Sequence, residues 1–226
     1  MKSISLRRVA VGLAAFVTVA AVTALPVTQA SAATATHMVF TVEPGAGTGG
    51  GALTPQPTVS FEDGSNAVDT TDTSTVTLTL TGGTGTAGAG LSNTCTATTL
   101  AGVATFTGCS VDTAGVGYTL TATNTGGPLP AVTSTAFNVT TGTASQLAFT
   151  TEPGNGTGGS ALSTQPTVTI QDAGGNTVTT DTNAVTMAIG TNPSAGTLST
   201  CTSTTTAGVA AFTGCSINKA GTGYTL

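Results

Sequence analysis

"STVTLTLT", Ser74 to Thr81, places a threonine at every second position, Thr75, Thr77, Thr79 and Thr81, with Val76, Leu78 and Leu80 between them. A period of two belongs to an extended strand, because successive side chains of a strand point to opposite faces. The apolar set then faces a core and the threonines face water. Such a ladder could be a working surface that binds ice, carries sugars or meets a partner, or it could be the wet side of an ordinary strand. A later stretch, "NAVTMAIG" from Asn183, separates the two. It keeps the apolar positions as Val185, Met187 and Ile189, but the threonine positions become Thr186, Ala188 and Gly190. A binding face should keep its side chains between sister copies, whereas a solvated strand face has no need to. The ladder reads as strand surface.

The two stretches correspond because the chain repeats itself. "FTVEPGAGTGGGALTPQPTVSFED" from Phe40 returns as "FTTEPGNGTGGSALSTQPTVTIQD" from Phe149, an offset of 109 residues. "CTATTLAGVATFTGCSVDTAGVGYTL" from Cys95 returns as "CTSTTTAGVAAFTGCSINKAGTGYTL" from Cys201, an offset of 106, so a loop near Asn192 to Gly196 is three residues shorter. A period near 100 residues is the size of a whole sandwich domain and too long for a solenoid unit. Leu226 corresponds to Leu120, so the expectation is that the second copy is incomplete and that further repeats follow in cis.

The N-terminus carries the marks of an export signal. Lys2, Arg7 and Arg8 form a basic start, Val9 to Leu25 is apolar, and Ala30-Ser31-Ala32 fits a small-x-small cleavage site. Cleavage after Ala32 defines three segments: a signal peptide (1–32), a first repeat (33–144) and a second repeat (145–226). The mature chain would then hold one cation, Lys219, against nine acids, a net charge of −8. That leaves no basic footprint for nucleic acid or anionic lipid, and no membrane span is expected in the mature chain. Threonine, glycine, alanine, serine and valine dominate, which is the composition of β-sheet with many turns.

Within the first copy the alternation predicts strands at 38–42, 58–61, 75–80, 92–97, 102–107, 117–123 and 134–140, with a weaker candidate at 67–70. The glycine-rich runs "EPGAGTGGGAL" and "TGGTGTAGAG" read as loops. Strands at this spacing with no helix after the signal segment predict an all-β fold of antiparallel sandwiches. The runs "TVTIQDAGGNTVTTDTNAVTMAI" and "AGVAAFTGCSINKAGTGYTL" resemble the bacterial immunoglobulin-like repeats of invasin/intimin type. The resemblance spans roughly 37–226 and implies tandem immunoglobulin-like β-sandwiches serving as a stalk, spacer or adhesive module of a bacterial surface protein. No outer-membrane barrel precedes the repeats, and "GGPLPAVTS" is not a sortase signal.

The candidate site residues are structural. Cys95 with Cys109 and Cys201 with Cys215 share a separation of fourteen positions, one pair per copy, in an exported chain. Duplicated even pairs of this kind predict two disulfides, each closing a loop of about 15 residues worth roughly 3 kcal/mol. A metal site needs more ligands than a chain with one histidine supplies, and a cysteine nucleophile needs a base beside it. Tyr118 and Tyr224, in "AGVGYTL" and "AGTGYTL", fit a tyrosine corner. Phe40, Phe106, Phe149 and Phe212 read as core, and His37 as solvated at the N-terminal edge. The acids Glu43, Asp63, Asp72, Glu152, Asp172 and Asp181 are scattered singly, with Asp63 and Asp172 in turn sequences. No catalytic, metal or cofactor site is expected.

Three functions fit this reading. The first is a non-enzymatic structural or adhesive region, secreted or on the cell surface, facing an unidentified ligand or surface partner. The second is a set of accessory modules for a secreted enzyme whose catalytic domain lies beyond residue 226. The third is direct binding through the recurring "EPGAGTGG" and "EPGNGTGG" loops.

Overall fold

The structure is a computed structural model that describes residues 34–92, 95–127, 129–199 and 201–226. The proposed signal segment lies outside the described residues. Those residues contain strands and no helix, and they belong to one compact unit in which the two repeats meet.

In the first repeat, His37–Val42, Thr58–Glu62 and Val103–Thr105 form one antiparallel sheet. A second antiparallel sheet runs Val132–Thr133, Leu120–Asn124, Thr75–Leu80 and Thr96–Thr98. Val59 and Phe61 from the first sheet join Val76, Leu78, Leu120 and Ala122 from the second in a single buried cluster. This is the packing of a β-sandwich, and each fully buried aliphatic or aromatic side chain contributes roughly 1.5–3 kcal/mol.

The period-two reading of Ser74–Thr81 holds residue by residue. Val76 and Leu78 are buried, while Thr79 is exposed and Thr75 and Thr77 are half-buried. The threonine hydroxyls pair across strands: Thr75 with Thr98 at 3.3 Å, Thr77 with Thr96 at 3.4 Å, and Thr81 with Thr121 at 2.8 Å. Such cross-strand pairs each add a few tenths of a kcal/mol to about 1 kcal/mol to a sheet.

Several predicted boundaries are corrected. Part of the glycine run taken for a loop, Gly47–Thr48, is a short strand paired in parallel with the closing strand Phe137–Thr140. That closing strand also pairs with Gly115–Tyr118. The expected strand at 117–123 is two strands, Gly115–Tyr118 and Leu120–Asn124, which belong to different sheets. Gly117, inside the first of these strands, has a positive φ of 74°. The expected 92–97 strand is likewise divided, into Leu91–Ser92 and Thr96–Thr98. Residues 67–70 form no strand and contribute one bridge, Glu62 to Val68.

The second repeat has one main sheet, Gln146–Thr151, Thr167–Gln171, Val209–Thr213 and Thr202–Thr206. Val185, Met187 and Ile189 remain half-buried between exposed neighbours, so the alternation persists, but no strand forms there. In the first repeat Leu120–Asn124 pairs along Thr75–Leu80, and the residues that align with Leu120–Asn124 begin at Leu226. The strand Thr202–Thr206 pairs with Val209–Thr213, whereas its counterpart Thr96–Thr98 pairs with Thr75–Leu80. Both repeats turn through an Ala-Gly pair with two positive φ values, Ala101 (50°) with Gly102 (76°), closed by a single bridge from Leu100 to Val103, and Ala207 (48°) with Gly208 (73°), which joins Thr202–Thr206 to Val209–Thr213 as a hairpin. That conformation matches the twist of the flanking strands.

Candidate functional site at the junction between the repeats

Asp172 opens a turn that follows the strand Thr167–Gln171. Its Oδ1 accepts the N–H groups of Gly174 and Asn176, both at 2.9 Å, as a turn-forming aspartate does. Its Oδ2 reaches the linker and accepts the N–H of Gly142 at 2.7 Å. The Asn176 amide stands 3.0 Å from each carboxylate oxygen and donates to them. Asp172 is fully buried. Burial alone would raise its pKa, but the donors of Gly142, Asn176 and Gly174 outweigh it and hold the carboxyl below the usual carboxylate range.

Asn176 makes the contact between repeats. Its Nδ2 donates to the Asp112 carbonyl at 2.7 Å, and its Oδ1 accepts the Ala114 N–H at 2.8 Å. One side chain thus satisfies both backbone groups of a loop in the first repeat, which would otherwise be left without partners. Tyr118 steadies that loop from behind, because its buried hydroxyl donates to the Thr113 carbonyl at 2.9 Å. The turn also packs on Gly49 and Gly50. A methyl group at Gly49 would collide with Asn176 Nδ2 and would stand 2.6 Å from Asp172 Oδ2.

The first repeat carries the same turn without the same reach. Asp63 and Asp172 each donate their N–H to the residue four positions on, Ala67 and Asn176 respectively, so these two positions are equivalent. The Asp63 Oδ1 accepts from Ser65 and Ala67, and those bonds lower its pKa. Ala67 offers no side-chain amide. The sequence alone reads Asp172 and Asn176 alike as turn residues of "QDAGGN" and gives neither a contact beyond the turn. The turn differs between the copies throughout, Gly64-Ser65-Asn66-Ala67 against Ala173-Gly174-Gly175-Asn176, so the asparagine is one of four changes and carries no separate signal.

The expected site residues fall as follows. Cys95 lies at disulfide distance from Cys109, and Cys201 from Cys215. Tyr118 forms the backward bond described above and packs on Phe137 with ring centroids 6.0 Å apart. The Tyr224 hydroxyl is buried without a hydrogen-bond partner among the described residues. Phe40, Phe106 and Phe212 are buried, and Phe149 is half-buried against the second core. His37 is not a loose edge residue: it begins a strand, with its Nε2 3.9 Å from Glu62 Oε2.

Three of the remaining acids accept backbone N–H groups. Glu43 accepts the Thr135 N–H, Asp72 the Ser74 N–H and Asp181 the Asn183 N–H. No three His, Cys, Asp or Glu side chains converge among the described residues. A groove of about 300 Å³ in the second repeat runs between Gly154–Gly158 and Lys219–Tyr224. In the first repeat the matching segments flank the closing strand Phe137–Thr140. No helix among the described residues is long and apolar enough to cross a membrane. The two disulfides fit an oxidising compartment.

The chain matches no model of a known protein family, no curated protein and no solved structure.

Proposed function

We propose that this chain is a non-enzymatic spacer or stalk, built of immunoglobulin-like β-sandwich repeats and carried by a secreted or cell-surface bacterial protein. The observation that supports it is the junction: Asn176 and Asp172 tie one repeat and the linker to the next through backbone groups. A spacer must hold its length, and modules joined by a linker alone do not. The buried acid at the junction is bonded to N–H donors and is placed to fix an orientation. The resemblance to invasin/intimin-type repeats, the export signal and the sparse charge point the same way, with contact to a ligand or cell-surface partner made by the protein of which these repeats are part.

The test is made on cells that produce the protein. Removing residues 33–144 should weaken adhesion, and an unrelated sandwich of similar length in their place should restore it. Restoration by the native repeat alone would assign direct binding to the repeats, and unchanged adhesion after removal would sink the spacer reading.

A further inference from the structure

The junction joins two different surfaces, a loop pair on one repeat and a turn on the next. Such a head-to-tail contact does not close on itself and can be continued. The first repeat receives the turn with Gly49, Gly50, the Asp112 carbonyl and the Ala114 N–H. The second repeat holds the same receiving surface. Gly159 N–H donates to the Ile217 carbonyl at 2.8 Å, as Gly50 N–H does to Val111 at 2.9 Å. Asn218 Oδ1 accepts the Thr197 N–H at 2.8 Å, as Asp112 Oδ1 accepts that of Gly90 at 2.8 Å. Gly158 lies against the Asn218 carbonyl and the Ala220 N–H, which correspond to those of Asp112 and Ala114.

The covering differs, and so does the support behind the loop, since the Tyr224 hydroxyl lacks the bond that Tyr118 makes to the Thr113 carbonyl. Gly49 is buried and Asp112 and Ala114 are half-buried beneath the Asp172–Asn176 turn, whereas Gly158, Asn218 and Ala220 are exposed. Neither the Asn218 carbonyl nor the Ala220 N–H has a hydrogen-bond partner among the described residues. We infer that Gly158, Gly159, the Asn218 carbonyl and the Ala220 N–H form a docking surface for the Asp-x-x-x-Asn turn of another repeat of this type. The asparagine amide of that turn donates to Asn218 and accepts from Ala220. Repeats with Ala67 in place of this asparagine are poor partners, so the first repeat is suited to receive a neighbour and not to dock on one. Docking seats the 218–220 loop as its counterpart is seated, with the Tyr224 hydroxyl turned to the Lys219 carbonyl.

This inference rests on reading the chain as an array, and its test reads a single amide, so it can fail while the spacer reading stands, and the reverse. Appending Thr121–Leu226 after Leu226 supplies the strands that align with Leu120–Thr140 and a further copy of the Asp172–Asn176 turn. Exchange of the Ala220 amide should slow about tenfold or more, toward that of Ala114. The slowing should vanish when the asparagine of the appended turn alone is changed to alanine. Fast exchange at Ala220 beside a protected Ala114 overturns the proposal. Should the extended chain not fold, the double variant Asp112→Asn with Thr113→Lys decides in the chain as it stands, because it gives the first repeat the receiving loop of the second. Retained protection at Ala114 supports the proposal, and its loss overturns it.

Discussion

Gly49 of the first repeat and Gly174 of the second meet backbone to backbone. A methyl group on Gly174 would stand 2.7 Å from the Gly49 carbonyl carbon and would collide with the Asp112 carbonyl oxygen. Asn176 can reach Asp112 and Ala114 because neither glycine holds the backbones apart. The glycine-rich sequence around residue 49 is therefore a contact surface as well as a loop.

Gly49→Ala should open the junction. Overpacking of this kind costs about 1–3 kcal/mol. The loss should fall on the contact between repeats, seen as faster exchange of the Ala114 amide with the first core intact. Gly158→Ala meets its nearest atoms at 3.1 and 3.2 Å and needs shifts of only a few tenths of an ångström. It should leave Ala114 untouched. Equal effects from the two variants would contradict the assignment.

Acid should loosen the junction with a defined sign. The Asp172 carboxyl has a folded pKa below its ordinary value of 3.8. Its contribution is complete above that value and is lost as pH falls from there through the folded pKa. Asp63 and Asp69 are lowered too and act in the same window. Asp172→Asn should cost stability at neutral pH, about 1–3 kcal/mol for buried donors left without partners. It should also flatten the acid limb of Ala114 protection measured against pH. An unchanged acid limb would remove Asp172 from the account.

The cysteine pairs give a separable test. Replacing Cys95 and Cys109 together by alanine should lower unfolding stability of the first repeat by about 3 kcal/mol in denaturant titration. Both residues are buried, so alanine, which leaves no buried hydroxyl, is the suitable substitute. A reductant should reproduce the loss in the unaltered chain and have no further effect on that repeat in the variant.

The threonine face and its apolar underside should respond in opposite ways. Leu78→Ala empties a position that is 2% exposed and should cost 2–5 kcal/mol, by the usual range for core truncation. Thr79→Ala, one residue on, should change stability by no more than about 0.5 kcal/mol. A large effect at Thr79 would return the ladder to the list of working surfaces.

How far these features could be read from the chain depended on their range. Thr75–Leu80 was legible to the residue, because alternation is local and each side chain's face follows from its neighbours. The cysteine partners were legible because their spacing is duplicated. Gly47–Thr48 was not, since nothing in a glycine run announces pairing with Phe137–Thr140 some 90 positions away. The division at Thr119 was hidden too: Tyr118 and Leu120 look like one alternating strand until Phe137 and Leu80 claim them for separate sheets. The junction was hardest. Asn176 bonds to residues 62 and 64 positions distant, and it is one of four successive changes between the two turns, so nothing local singles it out.

The parallel pairing of Gly47–Thr48 with Phe137–Thr140 has a bearing on tension. The two strands run in the same direction, Phe137–Thr140 at the exit of the first repeat and Gly47–Thr48 just after its leading strand His37–Val42. A pull on the two ends of that repeat draws one strand backward and the other forward along their common axis. The hydrogen bonds between them are then sheared together and not peeled one at a time. Parting this short pairing, Gly47 with Val139 and Thr48 with Thr140, should therefore take more force along the chain than peeling the same bonds singly, which a pulling measurement on the repeat would read.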